Sequence, residues 1–214
     1  MSSRPPREYL SPKNLSYRGV PREFHDASLD EYPIDPETKR LLQAYIENME
    51  VMRDDFINLI LYGSNGSGKT YLASLIVKEA YRYRFTSFII TLQSLIDLYF
   101  KRSDPEHKEK WDDIMECDFL VIDEVGKEGF DSKMYNISIF EEALRKRDTI
   151  GRPYILCTNL DLEVEGGLYD QYGKSIRSLI EGKALKLEFD GDDYRKSVSK
   201  KKKGMRILLA EEED

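Results

Sequence analysis

The segment Gly63-Ser64-Asn65-Gly66-Ser67-Gly68-Lys69-Thr70 places glycines, a lysine and a threonine in the order of a Walker A loop. The run before it, Phe56-Ile57-Asn58-Leu59-Ile60-Leu61-Tyr62, is apolar and reads as a buried strand. The run after it, Tyr71-Leu72-Ala73-Ser74-Leu75-Ile76-Val77, repeats apolar residues at helical spacing. A strand, a glycine-rich loop and a helix are the context in which such a loop binds phosphate. Gly63, Gly66 and Gly68 let the backbone curl so that Ser64, Asn65 and Ser67 turn successive N–H groups toward one anion. The helix start adds the positive end of its dipole. Lys69 then reaches the β- and γ-phosphates, and the Thr70 hydroxyl is placed to ligate Mg²⁺. An ordinary glycine-rich turn requires neither side chain, so the segment is read as a nucleotide phosphate site.

A second pattern lies downstream. Phe119-Leu120-Val121-Ile122-Asp123-Glu124 is a strand ending in two acids, the form of a Walker B motif. A strand buried on both faces carries Asp123 to the carboxyl edge of an open α/β sheet, where ligands sit. Asp123 is expected to hold Mg²⁺ through water, and Glu124 to orient or deprotonate an attacking water. Adjacent Asp and Glu argue for hydrolysis of ATP rather than transfer of its phosphoryl group. Tyr154-Ile155-Leu156-Cys157-Thr158-Asn159 is a further strand with a polar end. Asn159 there suits either a contact to the γ-phosphate side or a turn.

The chain has 214 residues, 40% hydrophobic and 34% charged, which suits one soluble globular core. No apolar run approaches the roughly 20 residues of a membrane span, and no secretory leader is visible, so no membrane partner is expected. The scattered pairs Cys117/Cys157 and His25/His107 have no metal-ligand spacing, and reduced buried thiols in the cytoplasm are the simplest reading. Net charge is −7 and the pI about 5.1, which excludes a generally basic nucleic-acid coat but not a local groove. Basic residues gather in Arg4, Arg7, Lys13, Arg18 and Arg22, and again at Lys200–Lys203, before an acidic tip at Glu211–Asp214.

Taken in order, residues 1–22 read as a flexible basic arm, 23–195 as the ATPase core and 196–214 as a charged, disordered tail. Asp35 as N-cap with Pro36 behind it starts a helix whose apolar face runs from Leu41 to Met52. Residues 86–92 form a second strand, 94–100 a short helix, and 101–110 a loop or helix start. Residues 126–136 read as irregular, and Ile137 to Leu144 as a helix broken by Gly151-Arg152-Pro153. Residues 172–180 read as a helix ended by Gly182, and Leu185–Phe189 as a fifth strand. Strands alternating with helices imply a three-layer α/β P-loop NTPase core around a five-stranded, mostly parallel sheet.

Together the two Walker motifs and Thr158-Asn159 resemble an AAA+ ATPase. The segments Phe24-His25-Asp26-Ala27-Ser28-Leu29-Asp30-Glu31-Tyr32, Leu120-Val121-Ile122-Asp123-Glu124-Val125-Gly126, Arg147 to Pro153, Tyr172-Gly173 and Phe189-Asp190-Gly191-Asp192-Asp193-Tyr194-Arg195 are similar to the DnaC/DnaI-type helicase loaders and the IstB-type transposition helpers. The resemblance covers residues 21–195. It implies the AAA+ strand order, ATP bound at subunit interfaces, segment 24–32 near the adenine, and Asn159 as a sensor. It also implies no sizeable C-terminal lid domain, in keeping with the short stretch after Phe189. The chain departs from the pattern in two places. Lys174 stands where the family has an acid, which leaves Arg177 as the candidate arginine acting on a neighbouring subunit. The N-terminal segment is also shorter than the helicase-binding domain that loaders carry.

These features favour an ATP-dependent loader of a replicative hexameric helicase onto single-stranded DNA, with self-association through the ATP interface. A transposase or recombinase helper is the alternative, and a P-loop small-molecule kinase or non-hydrolysing nucleotide binder a further one. Lys101 to Lys110 and Lys200–Lys203 are candidate DNA contacts, and Tyr99, Phe100 and Trp111 suit either base stacking or core packing.

Overall fold

The computed structural model describes residues 10–32, 34–128 and 133–189. Along them run α1 (Pro12–Tyr17), a 3₁₀ turn (Arg22–Phe24), α2 (Pro36–Glu47), α3 (Met49–Asp54), β1 (Asn58–Gly63), α4 (Lys69–Arg82), β2 (Ser87–Thr91), α5 (Leu92–Lys101) and α6 (Pro105–Glu116). Then follow β3 (Phe119–Val125), α7 (Lys133–Thr149), β4 (Tyr154–Thr158), α8 (Leu168–Glu181) and β5 (Ala184–Phe189). The sheet order is β2-β3-β4-β1-β5, and every pairing is parallel.

β1 to β4 are largely apolar on both faces because both faces are covered, whereas β5 at the edge alternates and is mostly exposed or half-buried. Leu59, Leu61, Val121, Ile155 and Cys157 meet the layer of α1 to α4, while Ile60, Leu120, Ile122, Tyr154 and Leu156 meet that of α5 to α8. Successive strand residues alternate between these two cores, as the pleat requires. The sheet order sets β3, β4 and β1 side by side. The loops leaving their carboxyl ends, which carry the Walker B acids, Asn159 and the Walker A glycines, therefore emerge together.

Several elements differ from the sequence-based expectation. From residue 10 the supposed arm is packed structure. Ser11 caps α1 by accepting from the Asn14 N–H at 3.2 Å, Leu15 and Val20 are buried, and the Arg18 guanidinium lies 4.0 Å from the Tyr81 ring centre. The apolar pattern from Leu41 to Met52 is split into α2 and α3 at Asn48, with Leu41 exposed. The stretch 101–110 resolves into a helix from Pro105, capped by the Asp104 carboxylate on Glu106 and His107 N–H. The helix expected from Ile137 begins at Lys133. The one expected from Tyr172 begins at Leu168 and breaks at Gly173 (φ 82°, ψ 177°); it ends at Glu181 with Gly182 as its C-cap, as expected, although that glycine is right-handed. Residues 1–9, Asp190–Arg195, the tail lysines and whatever bears on a lid lie outside the described residues.

Candidate nucleotide site

β1 ends at Gly63 with φ 119°. A side chain there would meet the Phe189 carbonyl, whose oxygen lies 2.6 Å from an added Cβ. That carbonyl accepts the Ser64 N–H at 3.1 Å and the Ser64 hydroxyl at 3.2 Å, so β5 holds the first turn of the loop. Gly66 and Gly68 are left-handed, and Ser67 Oγ closes the curl by donating to Ser64 O at 2.8 Å. Lys69 opens α4 and is buried. Its ammonium donates to Gly63 O at 2.9 Å and Ser64 O at 2.7 Å and lies 3.2 Å from Ser67 Oγ. The cation is thus stored on the loop's own carbonyls, beside the first amides of α4, which a helix leaves without intrahelical acceptors.

The Thr70 hydroxyl donates to Asp123 Oδ2 at 2.8 Å, joining Walker A to Walker B. Asp123 Oδ1 accepts the Glu124 N–H at 2.8 Å. Burial pushes the Asp123 pKa up, while the Thr70 hydroxyl and the Glu124 amide pull it down. The hydroxyl and the carboxylate are the hard oxygen donors that a magnesium ion takes. The β3–β4 ladder is irregular between Ile122 and Val125, and Glu124 sits in that irregularity with φ 58°. The bulge turns Glu124 out of the strand, where its exposed carboxylate pairs with Lys127 at 3.1 Å. A non-glycine residue in this conformation is a cost tolerated at functional sites.

Asn159 follows β4, half-buried. Its neighbour Thr158 donates to Val125 O at 2.7 Å and accepts the Leu160 N–H at 3.1 Å, fastening the two loops together. Arg177 stands apart from this cluster. Its contacts are with Glu181 at 2.9 Å and the Tyr169 ring at 5.0 Å, both on α8 itself.

Sequence reasoning missed three groups around the site. Tyr32 stacks on Tyr71 at 5.2 Å and 19° and hydrogen-bonds Ser67 O through its hydroxyl. Tyr71 in turn donates to Ser28 O at 2.9 Å. Segment 28–32 therefore leans on the phosphate loop, a contact hinted at only by the similarity of residues 24–32. The Phe189 carbonyl is backbone and carries no side-chain signal. Glu128, in the stretch read as irregular, accepts the Gly126 N–H at 2.9 Å and the Tyr172 hydroxyl.

The IstB-like ATP-binding protein family model matches residues 31–202. The chain belongs to that family. Among relatives, this IstB-like protein is 24% identical over 193 residues to the replicative helicase loader DnaC of Escherichia coli (strain K12), spanning 88% of this chain and 77% of that protein. It is 28% identical over 120 residues to an insertion sequence IS21-like ATP-binding protein of Bacteroides fragilis, spanning 56% and 58%. Among solved structures, the crystal structure of the DnaC helicase loader superposes with a TM-score of 0.68 at 19% identity, over 79% of this chain and 100% of that one. The replication initiator DnaA bound to AMPPCP and single-stranded DNA superposes with 0.63 at 16% identity, over 78% and 51%. The fold of the IstB-like chain is that of an AAA+ P-loop domain, and its family binds ATP. Among the described residues no helix is long and apolar enough to cross a membrane.

Proposed function

We propose that this protein hydrolyses ATP and uses the cycle to load a replicative hexameric helicase onto single-stranded DNA. The observation that carries the reading is the 2.8 Å contact between Thr70 and Asp123, with Glu124 next in the chain. It supports the reading by bringing the two side chains assigned to magnesium together at the carboxyl edge of the sheet, beside the proposed base. The relation to DnaC supports the helicase as client.

In the proposed reaction Lys69 exchanges the carbonyls of Gly63 and Ser64 for β- and γ-phosphate oxygens, and the amides of the loop and of the α4 start hold the remaining charge. A bound magnesium ion would be held by Thr70 and by Asp123 through water, and would withdraw charge from the phosphate oxygens. Glu124 orients the attacking water and accepts its proton while the bond from the γ-phosphorus to the bridging oxygen breaks, leaving ADP and phosphate. Asn159 reads the γ-phosphate side. Arg177 is assigned to the site of an adjoining subunit, for which it must give up Glu181. Such contacts would let ATP favour one assembled arrangement and hydrolysis release it.

For DNA, a cleft of about 600 Å³ beside the β2 edge is lined by Lys101, His107, Lys110 and Tyr17, by Arg18 on its way to Ser87 O, and by the acids Asp97 and Glu106. Of the three aromatics singled out for stacking, Trp111 is buried, Tyr99 packs against the core, and Phe100 is exposed. Phe100 is therefore the one suited to a base.

The test is recovery of partners from host lysate with Glu124→Gln and ATP, read by mass spectrometry. Capture of a hexameric replicative helicase, lost with Lys69→Ala, is expected. The Bacteroides fragilis relative favours a second reading, a transposition helper on duplex DNA. Capture of a transposase in place of the helicase would select it.

A further inference from the structure

The loop leaving Walker B touches both other elements assigned to the reaction. Val125 O accepts from Thr158 at 2.7 Å, one residue before Asn159. Gly126, with φ 94°, lies so close beneath Leu160 that an added Cβ would stand 2.5 Å from Leu160 Cδ1. Glu128 then uses its two carboxylate oxygens on two elements. Oε2 accepts the Gly126 N–H at 2.9 Å, and Oε1 accepts the Tyr172 hydroxyl of α8. The Tyr172 ring is buried, edge-on to Phe140 of α7 at 5.3 Å. Burial and the bond to Glu128 hold its phenol protonated, as a donor must be. Immediately after Tyr172 the helix breaks at Gly173, where an added Cβ would meet nothing within 4 Å. Lys174–Glu181, which carries Arg177, therefore joins the anchored first turn of α8 through a break in the helix, and is docked on α7 by Ser175, which donates to Glu141 at 2.6 Å and accepts from Arg145 at 2.7 Å.

We propose that Glu128 and Tyr172 are positioning residues that tie the Walker B loop to α8. Through them the state of the nucleotide site sets the placement of Lys174–Glu181 about Gly173. Their hydrogen bonds are to Gly126 and to each other, so the role assigned to them is one of placement. Glu128 acts through Gly126 on the turn that presents Glu124, three residues from the paired Lys127. Tyr172 passes the same restraint to the helix that offers Arg177. A carboxylate can accept from a backbone amide and a phenol at once, one on each oxygen. The proposal rests on the site binding ATP, and the experiment separates the two claims.

Tyr172→Phe keeps the ring against Phe140 and deletes only the hydroxyl. Glu128→Ala removes the other half, and the double variant closes a cycle. Full-length proteins would be compared for ATP affinity, steady-state turnover and ATP-dependent amide hydrogen exchange. We expect ATP affinity within twofold of the parent in all three variants. Turnover should fall at least fivefold in each single variant, and the double variant should be no more than twofold worse than the poorer single. In the parent, ATP should alter exchange in residues 174–181. In Tyr172→Phe that response should be lost while protection of Phe119–Val125 is kept, a split that general destabilisation would not produce. Should Tyr172→Phe fail to fold, Glu128→Ala carries the same exchange test. An ATP response in 174–181 equal to the parent's, or additive losses in the cycle, would overturn the coupling. A parent that binds no ATP would instead overturn the reading on which it rests.

Discussion

Asp123 is a buried carboxylate whose burial works against stability. Burial raises its pKa above the usual carboxylate value, so the folded chain holds a proton there at pH values where the unfolded chain has released it. The folded state then binds more protons, and stability from this group falls as pH rises through the window above the unfolded pKa of about 3.9. Asp123→Asn deletes the charge but keeps an oxygen for the Glu124 N–H. It should raise the urea midpoint at pH 7 relative to the parent, with the advantage shrinking as pH drops toward 4. Urea titrations at several pH values measure this. Glu124 pays differently, in backbone: a left-handed φ of 58° costs a residue with Cβ about 1 to 2 kcal/mol. Glycine adopts that φ freely but gains unfolded-state entropy. Glu124→Gly should therefore be more stable than Glu124→Ala by about 0.5 to 1 kcal/mol, although both lose the proposed base. Denaturation of the pair checks it. The roles proposed for Lys69, Thr70, Asp123 and Glu124 could be read from residue order because each sits at a fixed offset from a strand end. The Lys127 partner of Glu124 could not, since the bulge that brings them together is not written in apolar periodicity.

At the level of elements, β1 to β4 were legible because strands covered by helices on both faces are largely apolar, and β5, at the sheet edge, because its apolar and polar residues alternate. Their parallel order followed from the helices between them. What escaped were elements whose order comes from distant contacts. α1 has six residues and buries one of them, Leu15, so it has no period to detect. The break in α8 rests on one glycine, and the Glu128–Tyr172 bond joins residues 44 apart. Arg147 is the strongest case. It lies in α7, where a basic residue reads as solvated, yet it is wholly buried. One terminal nitrogen donates to Met115 O at 3.1 Å and Cys117 O at 2.6 Å. The other donates to Asp118 O at 3.3 Å and to Pro153 O. It thus ties the end of α6 and the approaches to β3 and β4 into one corner. Only a planar fork can serve all four carbonyls, so lysine is no substitute. Arg147→Leu leaves them buried without donors, at about 1 to 3 kcal/mol for each that stays unsatisfied. A loss of about 3 to 5 kcal/mol is expected in chemical denaturation. That is a large share of the 5 to 15 kcal/mol by which such domains are stable.

For the molecule as a whole, the phosphate loop is where separate parts of the chain meet. β5 grips it through the Phe189 carbonyl, segment 28–32 leans on it through Tyr32, and β3 reaches it through Asp123 on Thr70. A ligand that fills this loop binds only when all three are in place, so its binding energy is added to the stability of the entire fold. At a nucleotide concentration about 100 times its Kd, the gain is about 2.7 kcal/mol. For a domain of this size each kcal/mol moves the melting temperature by about 2 to 4 °C, so a non-hydrolysable ATP analogue with Mg²⁺ should raise Tm by about 5 to 10 °C. Lys69→Ala removes a charge-assisted contact worth about 2 to 3 kcal/mol, or roughly 30- to 150-fold in Kd. At the same analogue concentration it should show a shift of only about 1 to 3 °C. Ile114→Ala, in the core on the sheet face away from α4, leaves the loop intact and should keep the shift even if its starting Tm is lower. Thermal unfolding of the three proteins, with and without analogue, measures this directly. A parent whose Tm is indifferent to the analogue at millimolar concentration would mean that the loop, although formed, does not hold the nucleotide.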